Sequence, residues 1–353
     1  MEYPLGQRLQ ELRGPLLLTG HTGFKGTWMT FLLEHLGIPL VGYSLPAEID
    51  SLYDRAERMG AIPEVFADIR DYETLEQFID LHKPSTIIHM AAQPLVLKSY
   101  ESPRETFDVN VMGTINLFDI AFSKDYVKVI IVVTTDKVYR NDNSGQAFVE
   151  SDSLEGKDPY SASKVGTEAA IAAWQQISNV SHGPKVVSVR AGNVIGGGDY
   201  AKDRIIPDII RGVITGKTIE IRNPKSTRPW QHVLDPLVGY LKLIEALIAG
   251  KQISSLNFGP HAADISVEEV TRIGGDTFPI LGKLIQFNST KEENLESSQL
   301  QINSEKSRQF LDWEPRWQSQ KAIKLTFQWW ESVLEQGTSP LQLCKKNILE
   351  YFS

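Results

Sequence analysis

The stretch Thr19-Gly-His-Thr-Gly-Phe-Lys-Gly26 decides the fold, because its glycines stand between an apolar run and an amphipathic one. The apolar run, Pro15-Leu-Leu-Leu-Thr19, predicts a buried strand, and the segment from about Lys25 to His35 predicts a helix. Glycines between a strand and a helix allow a sharp turn, a close approach of backbone to ligand, and tight helix–sheet packing. Because N–H groups at a helix start attract phosphate, the turn indicates a dinucleotide site.

The spacing of this turn is G-x-x-G-x-x-G, carried by Gly20, Gly23 and Gly26, rather than G-x-G-x-x-G. Three glycines alone are a weak signal, and a turn that only reverses the chain is the alternative. The position between a strand and a helix favours the binding interpretation.

Short apolar runs alternate with amphipathic segments through the first half of the chain. Further strands are predicted at 38–43, 64–67, 85–89, 127–133 and 185–189, with helices between them, notably 104–124 and 159–178. Strands that alternate with helices pair in parallel through right-handed crossovers, so the prediction is an α/β fold with a doubly wound parallel sheet of the Rossmann type.

The alternation of apolar runs and amphipathic segments weakens after Arg190, and Gly196-Gly-Gly198 interrupts it. One more sheet strand is predicted at 256–259, so a smaller substrate lobe is interleaved with the first. We expect a nucleotide-binding domain over 1–190, joined again by about 233–262, and a substrate lobe over 191–232 and 263–353. The polar segment 291–298 is predicted to be a loop.

Composition narrows the class of protein. The 353 residues carry a net charge of −8, which argues against a general nucleic-acid binder. One cysteine, Cys344, excludes an intrachain disulfide and fits a reducing compartment. The N-terminal segment lacks the apolar core of a signal peptide, and no apolar stretch has the length of a membrane span. We therefore expect a cytoplasmic protein, and the spacing of its histidines predicts no metal site.

The end of the second predicted strand bears on the choice of cofactor. An acidic residue that binds a ribose hydroxyl is expected there, but the strand ends in Tyr43-Ser44, with Glu48 and Asp50 a few residues beyond. No arginine stands there to bind a 2′-phosphate, which favours NAD over NADP. Asp68, after the third strand, is placed to meet the adenine, and a helix cap is its alternative role.

A tyrosine and a lysine stand one helical turn apart in Tyr160-Ser-Ala-Ser-Lys164. A phenol is a poor base at neutral pH, and a neighbouring ammonium group is expected to lower its pKa. Asp158 and Pro159 predict the helix start, as a cap and a first-turn proline. A surface tyrosine beside a solvated lysine is the alternative, and the glycine turn upstream argues against it.

A polar cluster, Thr134-Thr-Asp-Lys137, ends the fifth predicted strand. The carboxyl edge of an open α/β sheet borders the ligand crevice, so these side chains are expected beside the tyrosine. Ordinary structural roles for Thr135, Asp136 and Lys137, namely strand end, cap and surface charge, remain the alternative.

Together these motifs resemble the extended short-chain dehydrogenases/reductases that act on nucleotide sugars, and within them the branch of 4,6-dehydratases that use CDP-glucose. The resemblance rests on segments spread over nearly the whole chain: 19–26, 89–95, 110–114, 135–137, 158–164, 190–199 and 222–233. The chain departs from that branch at Thr134-Thr135, where Thr-Ser is usual, and over 140–155. These departures affect the choice of sugar more than the class of reaction.

The resemblance implies an internal redox cycle. Tyr160 takes the proton of the sugar's C4 hydroxyl, Thr135 hydrogen-bonds the same oxygen, and hydride passes to NAD. The 4-ketone acidifies C5, Asp136 protonates the departing C6 hydroxyl, and hydride returns to C6. Lys137 stands where related dTDP-glucose dehydratases have glutamate, and it acts either as the C5 base, with a strongly lowered pKa, or as a cation that stabilises the enolate.

The resemblance also implies binding residues and an assembly. The cofactor residues are Gly20, Thr22, Gly23, Phe24, Lys25, Gly26, Ser44, Asp68, Ile69, Ala91, Ala92, Gln93, Asn110, Thr134, Tyr160 and Lys164. The substrate residues are Gln93, Asn193, Arg204, Arg228 and His232, the last three for the diphosphate. The helices 104–124 and 159–178 imply a homodimer or homotetramer through a four-helix bundle.

Three functions stay open at this point. A 4,6-dehydratase, for CDP-glucose or another nucleotide sugar, accounts for Asp136 and Lys137. A nucleotide-sugar 4-epimerase needs no acid for C6, so the same pair argues against it. A regulatory NAD-binding module predicts a damaged catalytic set, whereas Thr135, Tyr160 and Lys164 are all present.

Overall fold

A computed structural model describes residues 5–11, 13–143, 145–202, 204–221, 223–260, 265–287 and 300–353. The strands are β1 (Leu16–Thr19), β2 (Leu40–Ser44), β3 (Glu64–Phe66), β4 (Thr86–His89), β5 (Val129–Val133), β6 (Lys185–Ala191), β7 (Val194–Ile195), β8 (Ile219–Ile221), β9 (Thr227–Arg228), β10 (Gln231–His232), β11 (Ser255–Phe258), β12 (Ile265–Ser266) and β13 (Ile285–Phe287). The loop predicted at 291–298, and Arg222 of the segment 222–233, lie outside the described residues.

The described ranges also contain α-helices, a π-helical turn (Asp108–Met112) and a 3₁₀ turn (Asp136–Val138). The α-helices are α1 (Gln7–Gln10), α2 (Phe24–His35), α3 (Leu52–Arg55), α4 (Tyr72–His82), α5 (Val96–Glu101), α6 (Pro103–Phe107), α7 (Gly113–Phe122), α8 (Pro159–Ser181), α9 (Ile205–Thr215), α10 (Leu234–Ile248), α11 (Val267–Thr277), α12 (Leu281–Leu284), α13 (Glu305–Leu311), α14 (Ser319–Leu334) and α15 (Pro340–Phe352). Within those ranges no helix is both long enough and apolar enough to cross a membrane.

The described ranges form one large sheet with the strand order β11-β6-β5-β4-β1-β2-β3. Its neighbouring strands pair in parallel, as between β1 and β4 or β5 and β6. The predicted doubly wound α/β fold is confirmed. Because the chain runs from β1 outward in one direction and from β4 outward in the other, the order reverses between these two strands, and a ligand crevice opens at their carboxyl ends.

Burial on both faces explains why the central strands are continuous apolar runs. All residues of β1 and β5 are buried. Successive side chains point to opposite faces, so Leu16 and Leu18 lie in one core while Leu17 lies in the other. The first core also contains Trp28 of α2, and the second contains Ile171 of α8. The two helices that carry the glycine turn and the site are thereby fixed to opposite faces.

The helix predicted over 104–124 is interrupted. A π-helical turn, Asp108–Met112, separates α6 from α7. The carbonyl of Asn110 in that turn accepts hydrogen bonds from the hydroxyls of Thr114 (2.7 Å) and Thr167 (2.8 Å). A widened turn of this kind often marks a functional site, and amphipathic periodicity does not reveal it.

The chain returns to the sheet as predicted, since β11 pairs in parallel with β6. The small strand pairs β7–β10, β9–β12 and β8–β13 were not predicted, because two or three residues are too few to show a period. The turn Gly196–Gly198 is part of the packing: a Cβ at Gly197 would lie 2.0 Å from the Trp329 ring. The division into two functional lobes stays a prediction.

Candidate functional site

The glycine turn forms a cradle between β1 and α2. Gly20 has φ +73°, and a Cβ there would lie 2.7 Å from the amide nitrogen of Ala91. A Cβ at Gly26 would lie 2.1 Å from the carbonyl oxygen of Gly20, so the helix packs directly on the turn. Gly23 is the N-cap of α2 and provides no side chain to cap it. The open helix start therefore fits the pyrophosphate of a dinucleotide.

Polar contacts tie this cradle to the end of β2. The hydroxyls of Thr22 and Ser44 lie 2.8 Å apart, and Thr22 donates to the carbonyl of Leu45 at 3.0 Å. Ser44 thus stands at the strand end where an acidic residue was expected. Phe24, from the first turn of α2, lies against Gly196: a Cβ at that glycine would be 3.3 Å from its Cζ.

Sequence reasoning missed the role of His21 beneath the turn. Its buried Nε2 lies 2.8 Å from Glu64 Oε2, and a Cβ at Gly42 would lie 2.6 Å from its Nδ1. Burial lowers the pKa of His21, while hydrogen bonding to Glu64 raises it. The imidazole supports the turn from below, and no periodicity or spacing marks it in the sequence.

Asp68 and Ile69 follow β3. The carboxylate of Asp68 accepts two bonds from the Arg70 guanidinium, at 2.6 and 3.0 Å, and these hold its pKa below the usual value. The alternative role of Asp68 as a helix cap is wrong, because Asp71 caps α4 by accepting from the Thr74 amide. Ile69 is buried against the position of Gly113.

The segment after β4 is fixed by amide and hydroxyl contacts. The Gln93 amide donates to Asn110 Oδ1 at 2.8 Å, and Asn110 Nδ2 donates to Ser163 Oγ at 2.8 Å. The Ala91 amide donates to Thr19 Oγ1 at 3.2 Å. Half-buried Ala92 follows directly. The predicted cofactor residues of this segment therefore border the crevice between β1 and β4.

The predicted catalytic residues come together at the end of β5. The side chains of Thr135 and Tyr160 are hydrogen-bonded, and Thr135 donates to Asp136 Oδ1 at 3.1 Å. The amide of half-buried Lys137 donates to Thr135 Oγ1 at 3.3 Å. Tyr160 is in place because the helix begins just before it, with Asp158 as its cap.

Electrostatics at this cluster follow from burial. Burial raises the pKa of the Asp136 carboxyl, although Lys137, Lys25 and Arg228 are close enough to lower it. Burial also raises the pKa of Tyr160 to about 12, against the lowering effect of the bond to Thr135. The predicted lowering of the tyrosine pKa by Lys164 is therefore wrong for the protein alone, where loss of solvent outweighs the lowering effects of the Thr135 bond and of Arg204.

Lys164 lies behind the cluster. Its Nζ donates to the carbonyl of Val133 at 3.2 Å. Its pKa is lowered to about 8, first by burial and then by the charge of Lys25, while the charge of Glu168 raises it. The pKa of Lys25 is lowered to about 8 as well, first by burial and then by the charge of Arg204. The glycine turn and the catalytic helix thus present two interacting ammonium groups to one crevice.

Most of the predicted substrate residues border this crevice. Gly192, next to half-buried Asn193, is near the acid: a Cβ there would lie 3.5 Å from Asp136 Oδ2. Arg204 pairs with Asp199 at 2.9 Å and acts electrostatically on both Lys25 and Tyr160. Arg228 acts in the same way on Asp136.

The prediction that His232 binds the diphosphate is wrong. Its side chain is fully buried, and its ring lies between Trp28 and Trp317, with centroids 5.6 and 4.6 Å away. Burial lowers its pKa to about 3, so it is neutral. Trp230 is likewise a core residue, which donates from Nε1 to the carbonyl of Ile265.

A buried ion pair next to the cluster was also missed. Glu168 and Arg190 form two bonds, at 2.9 and 2.8 Å, and Thr134 donates to Glu168 Oε1 at 2.6 Å. The signal was present, since Glu168 repeats the four-residue spacing of Tyr160 and Lys164 on one helix face. Within the described ranges, no three His, Cys, Asp or Glu side chains gather as a metal site.

Comparison with known proteins agrees with this geometry. The chain is 37% identical over 352 residues to CDP-glucose 4,6-dehydratase of Salmonella typhimurium, covering 96% of each. It is 28% identical over 282 residues to UDP-glucose 4-epimerase of Lacticaseibacillus casei, covering 75% of this chain and 82% of that protein. In structure it is similar to dTDP-glucose 4,6-dehydratase of Bacillus anthracis, solved with NAD, with a TM-score of 0.76 and 22% identity over 93% of this chain and all of that one.

A sequence model of one family, described as GDP-mannose 4,6 dehydratase, matches residues 17–326. That span includes the glycine turn, the cluster at the end of β5 and the helix α8. The resemblance inferred from the motifs is confirmed, and the chain belongs to the GDP-mannose 4,6 dehydratase family.

Proposed function

We propose that this chain is an NAD-dependent hydro-lyase that converts CDP-glucose to CDP-4-keto-6-deoxyglucose. The observation that carries the proposal is the contact of Thr135 with both Tyr160 and Asp136 in one buried cluster. It joins the residues needed to oxidise C4 to an acid suited to release water from C6. The 37% identity to the Salmonella CDP-glucose 4,6-dehydratase supports the choice of sugar nucleotide.

The cofactor site is proposed from the cradle itself. Gly23 leaves the start of α2 uncapped, and Gly20 and Gly26 allow the close approaches that a pyrophosphate requires. Ser44 would face the adenosine ribose, and Asn110 and Gln93 would border the nicotinamide side of the crevice. Bound NAD would supply a positive charge and a carbon that accepts hydride from C4 and returns it to C6.

The chain's own residues then handle the protons. Tyr160 is neutral in the protein alone, since burial raises its pKa to about 12, and it takes the C4 hydroxyl proton when positive charge in the crevice favours phenolate. Thr135 hydrogen-bonds the same oxygen. The raised pKa of Asp136 keeps a proton available for the C6 hydroxyl, which leaves as water. Lys137 either removes the C5 proton or stabilises the enolate.

The diphosphate is assigned to Arg204 and Arg228, with Asn193 beside the sugar. Arg204 acts electrostatically on Tyr160, and Arg228 on Asp136. A guanidinium group can bind two phosphate oxygens at once. We extend the functional division of the chain accordingly, with 1–190 and about 233–262 for the dinucleotide and 191–232 and 263–353 for the sugar nucleotide.

Assembly and location are part of the proposal. Large apolar side chains on α5, α6 and the π-turn are exposed, among them Leu97, Tyr100, Phe107 and Met112. Such a surface next to α8 supports a homodimer or homotetramer built on these helices. A reducing, cytoplasmic location agrees with Cys344, the chain's one cysteine, being buried. Light scattering of Met112→Glu should show a smaller particle than wild type, with Leu81→Glu, exposed elsewhere, as the control.

A substrate panel tests the reaction. Purified protein is incubated with CDP-, dTDP-, UDP- and GDP-glucose, and products are followed by mass spectrometry and by the alkaline absorbance of a 4-keto sugar. We expect loss of one water from CDP-glucose in preference to the others. A product of unchanged mass with inverted C4 would show an epimerase, and preference for another base would correct the nucleotide. No conversion of any sugar would refute the proposal.

A further inference from the structure

Lys164 and Glu168 lie on successive turns of α8. They bond to Val133, the last residue of β5, and to Thr134, the residue after it. Lys164 Nζ donates to the carbonyl of Val133 at 3.2 Å, and Glu168 accepts from the hydroxyl of Thr134 at 2.6 Å. The next residue is Thr135, which contacts both Tyr160 and Asp136. The position of the reacting groups therefore depends on how α8 holds this strand end.

Glu168 accepts four hydrogen bonds from neighbouring side chains. Its Oε1 accepts from Thr134, from Ser188 Oγ at 2.6 Å and from Arg190 Nε at 2.9 Å, while Oε2 accepts from Arg190 Nη2 at 2.8 Å. Burial alone would raise its pKa, but these bonds, led by that to Arg190, leave it below the usual value. The carboxylate is therefore ionised inside the protein.

Arg190 extends this hydrogen-bond network to residues on the side away from Thr134. Its Nη1 donates to Tyr139 Oη at 2.9 Å and to the carbonyl of Glu150 at 3.3 Å. Tyr139 in turn donates to Asn257 Oδ1 of β11 at 2.6 Å. One ion pair thus connects α8, β5, β6 and β11 with the loop 140–155.

Charge gives Glu168 a second effect. The charged or titratable groups that act on Lys164 are Lys25 from α2, His89 from β4 and Glu168 from its own helix. His89 is neutral, since burial lowers its pKa to about 3. Lys25 opposes protonation of Lys164 and Glu168 favours it. Glu168, one helical turn from Lys164, therefore offsets the repulsion that Lys25 exerts on Lys164.

We propose that Glu168, held by Arg190, is a positioning residue for the reaction: it fixes the Thr134–Asp136 strand end against the helix face of Tyr160 and Lys164, and it places a negative charge one helical turn from Lys164 on that face. The inference deepens the proposed function and rests on it for the reaction concerned. It predicts two separable effects, one through the Thr134 contact and one through the negative charge.

A matched pair of variants tests the geometric effect. Thr134→Val and Ser188→Ala each remove one hydroxyl that donates to Glu168 Oε1 at 2.6 Å, but only Thr134 adjoins Thr135. We expect Thr134→Val to lower kcat roughly tenfold or more with KM nearly unchanged, because small displacements of reacting groups are costly. Ser188→Ala should stay within about twofold of wild type. Equal effects of the two variants would overturn the geometric part.

Glu168→Gln tests the charge effect without any sugar. The protein is treated with acetic anhydride over a range of pH, and acetylation of Lys164 and Lys25 is quantified by peptide mass spectrometry. Both lysines should have midpoints at about pH 8 in wild type. Glu168→Gln should shift the Lys164 midpoint to lower pH, while the Lys25 midpoint should not move to lower pH, because earlier deprotonation of Lys164 only relieves the repulsion between the two. In a separate assay with the nucleotide sugar, the alkaline limb of kcat should move the same way.

The outcomes separate the two proposals. Unchanged Lys164 labelling in Glu168→Gln overturns the charge effect, whether or not any nucleotide sugar is converted. A shifted midpoint in a protein that converts no sugar supports the inference about Lys164 and counts against the proposed reaction. If Glu168→Gln does not fold, the same labelling is done on Glu168→Asp, which keeps the charge. Lys164 in that variant should be labelled as it is in wild type. Thr134→Val should still lower kcat. Failure of both results overturns the inference.

Discussion

Asp136 and Glu168 are two buried carboxyls at the junction of β5 and α8, and they differ in almost every electrostatic respect. Their side chains are equally enclosed, at 4% and 6% exposure, so burial alone does not separate them. Burial raises the pKa of Asp136, while Glu168, with donors on both oxygens, has a pKa below the usual value. One carboxyl is prepared to hold a proton and the other to remain charged.

The difference shows how one short region provides both chemistry and support. On the reacting side, Asp136 and Tyr160 are poorly solvated, and this shifts their pKa values away from the ordinary range. The supporting side satisfies each oxygen of its carboxylate through Thr134, Ser188 and Arg190. A charge without those partners would be too costly to bury next to a site whose own groups are already poorly solvated.

The largest expected effect concerns the reacting side. Tyr160→Phe should lower turnover about 10³- to 10⁴-fold, because it removes the group that takes the C4 hydroxyl proton. The melting temperature should change little. Tyr240→Phe is the control: Tyr240 is fully buried, and its hydroxyl has no hydrogen-bond partner among the described residues. Product formation near the wild-type rate in Tyr160→Phe would remove this residue from the mechanism.

On the supporting side, Arg190→Met should mainly affect stability. It leaves the Glu168 carboxylate buried without its charged partner, a change that costs about 3–5 kcal/mol of unfolding free energy. Chemical denaturation measures the loss, and the double variant with Glu168→Gln should recover part of it. The control is Arg272→Met, which breaks exposed pairs with Glu269 and Asp276 and should cost under about 1 kcal/mol. Similar losses in the two single variants would contradict a supporting role.

The fold was predictable because its strongest signals are local. Continuous apolar runs such as β5 and the glycine turn before α2 specify a buried parallel strand and a strand–turn–helix unit without reference to the rest of the chain. The π-turn at Asp108–Met112 and the two-residue strands have no such signature, since they are set by contacts with distant segments.

The site was predictable only in part for the same reason. Thr135, Asp136 and Tyr160 could be found because a strand end and a helix start carry them. His232 was misplaced because burial between Trp28 and Trp317 depends on helices far along the chain. The raised pKa of Tyr160 was missed because spacing along a helix gives proximity to Lys164 but not the loss of solvent.

Lys137→Ala tests the residue whose role is least determined by its contacts. We expect a loss of roughly 10²-fold or more in 4-keto sugar formation, whether the lysine removes the C5 proton or stabilises the enolate. Lys128→Ala is the control, because among the described residues the one hydrogen-bond partner of its ammonium group is the exposed carbonyl of nearby Asp125. Near-normal conversion by Lys137→Ala would exclude both roles.

The smallest expected effect is a gain of stability in Asp136→Asn. The folded-state pKa of this carboxyl is raised, so its ionisation opposes folding as pH rises from the unfolded value of about 3.9 through the folded one. An amide has no such charge, and we expect Asp136→Asn to be more stable than wild type by on the order of 1 kcal/mol at pH 7, with the difference vanishing below about pH 4. Glu168→Gln should have the opposite sign at pH 7, because a carboxyl with a lowered folded pKa stabilises the fold above its unfolded pKa and ceases to do so as pH falls through the folded value. Denaturation of both variants at pH 4 and pH 7 measures the two signs, and like signs at pH 7 would show that the two carboxyls do not differ as their surroundings indicate.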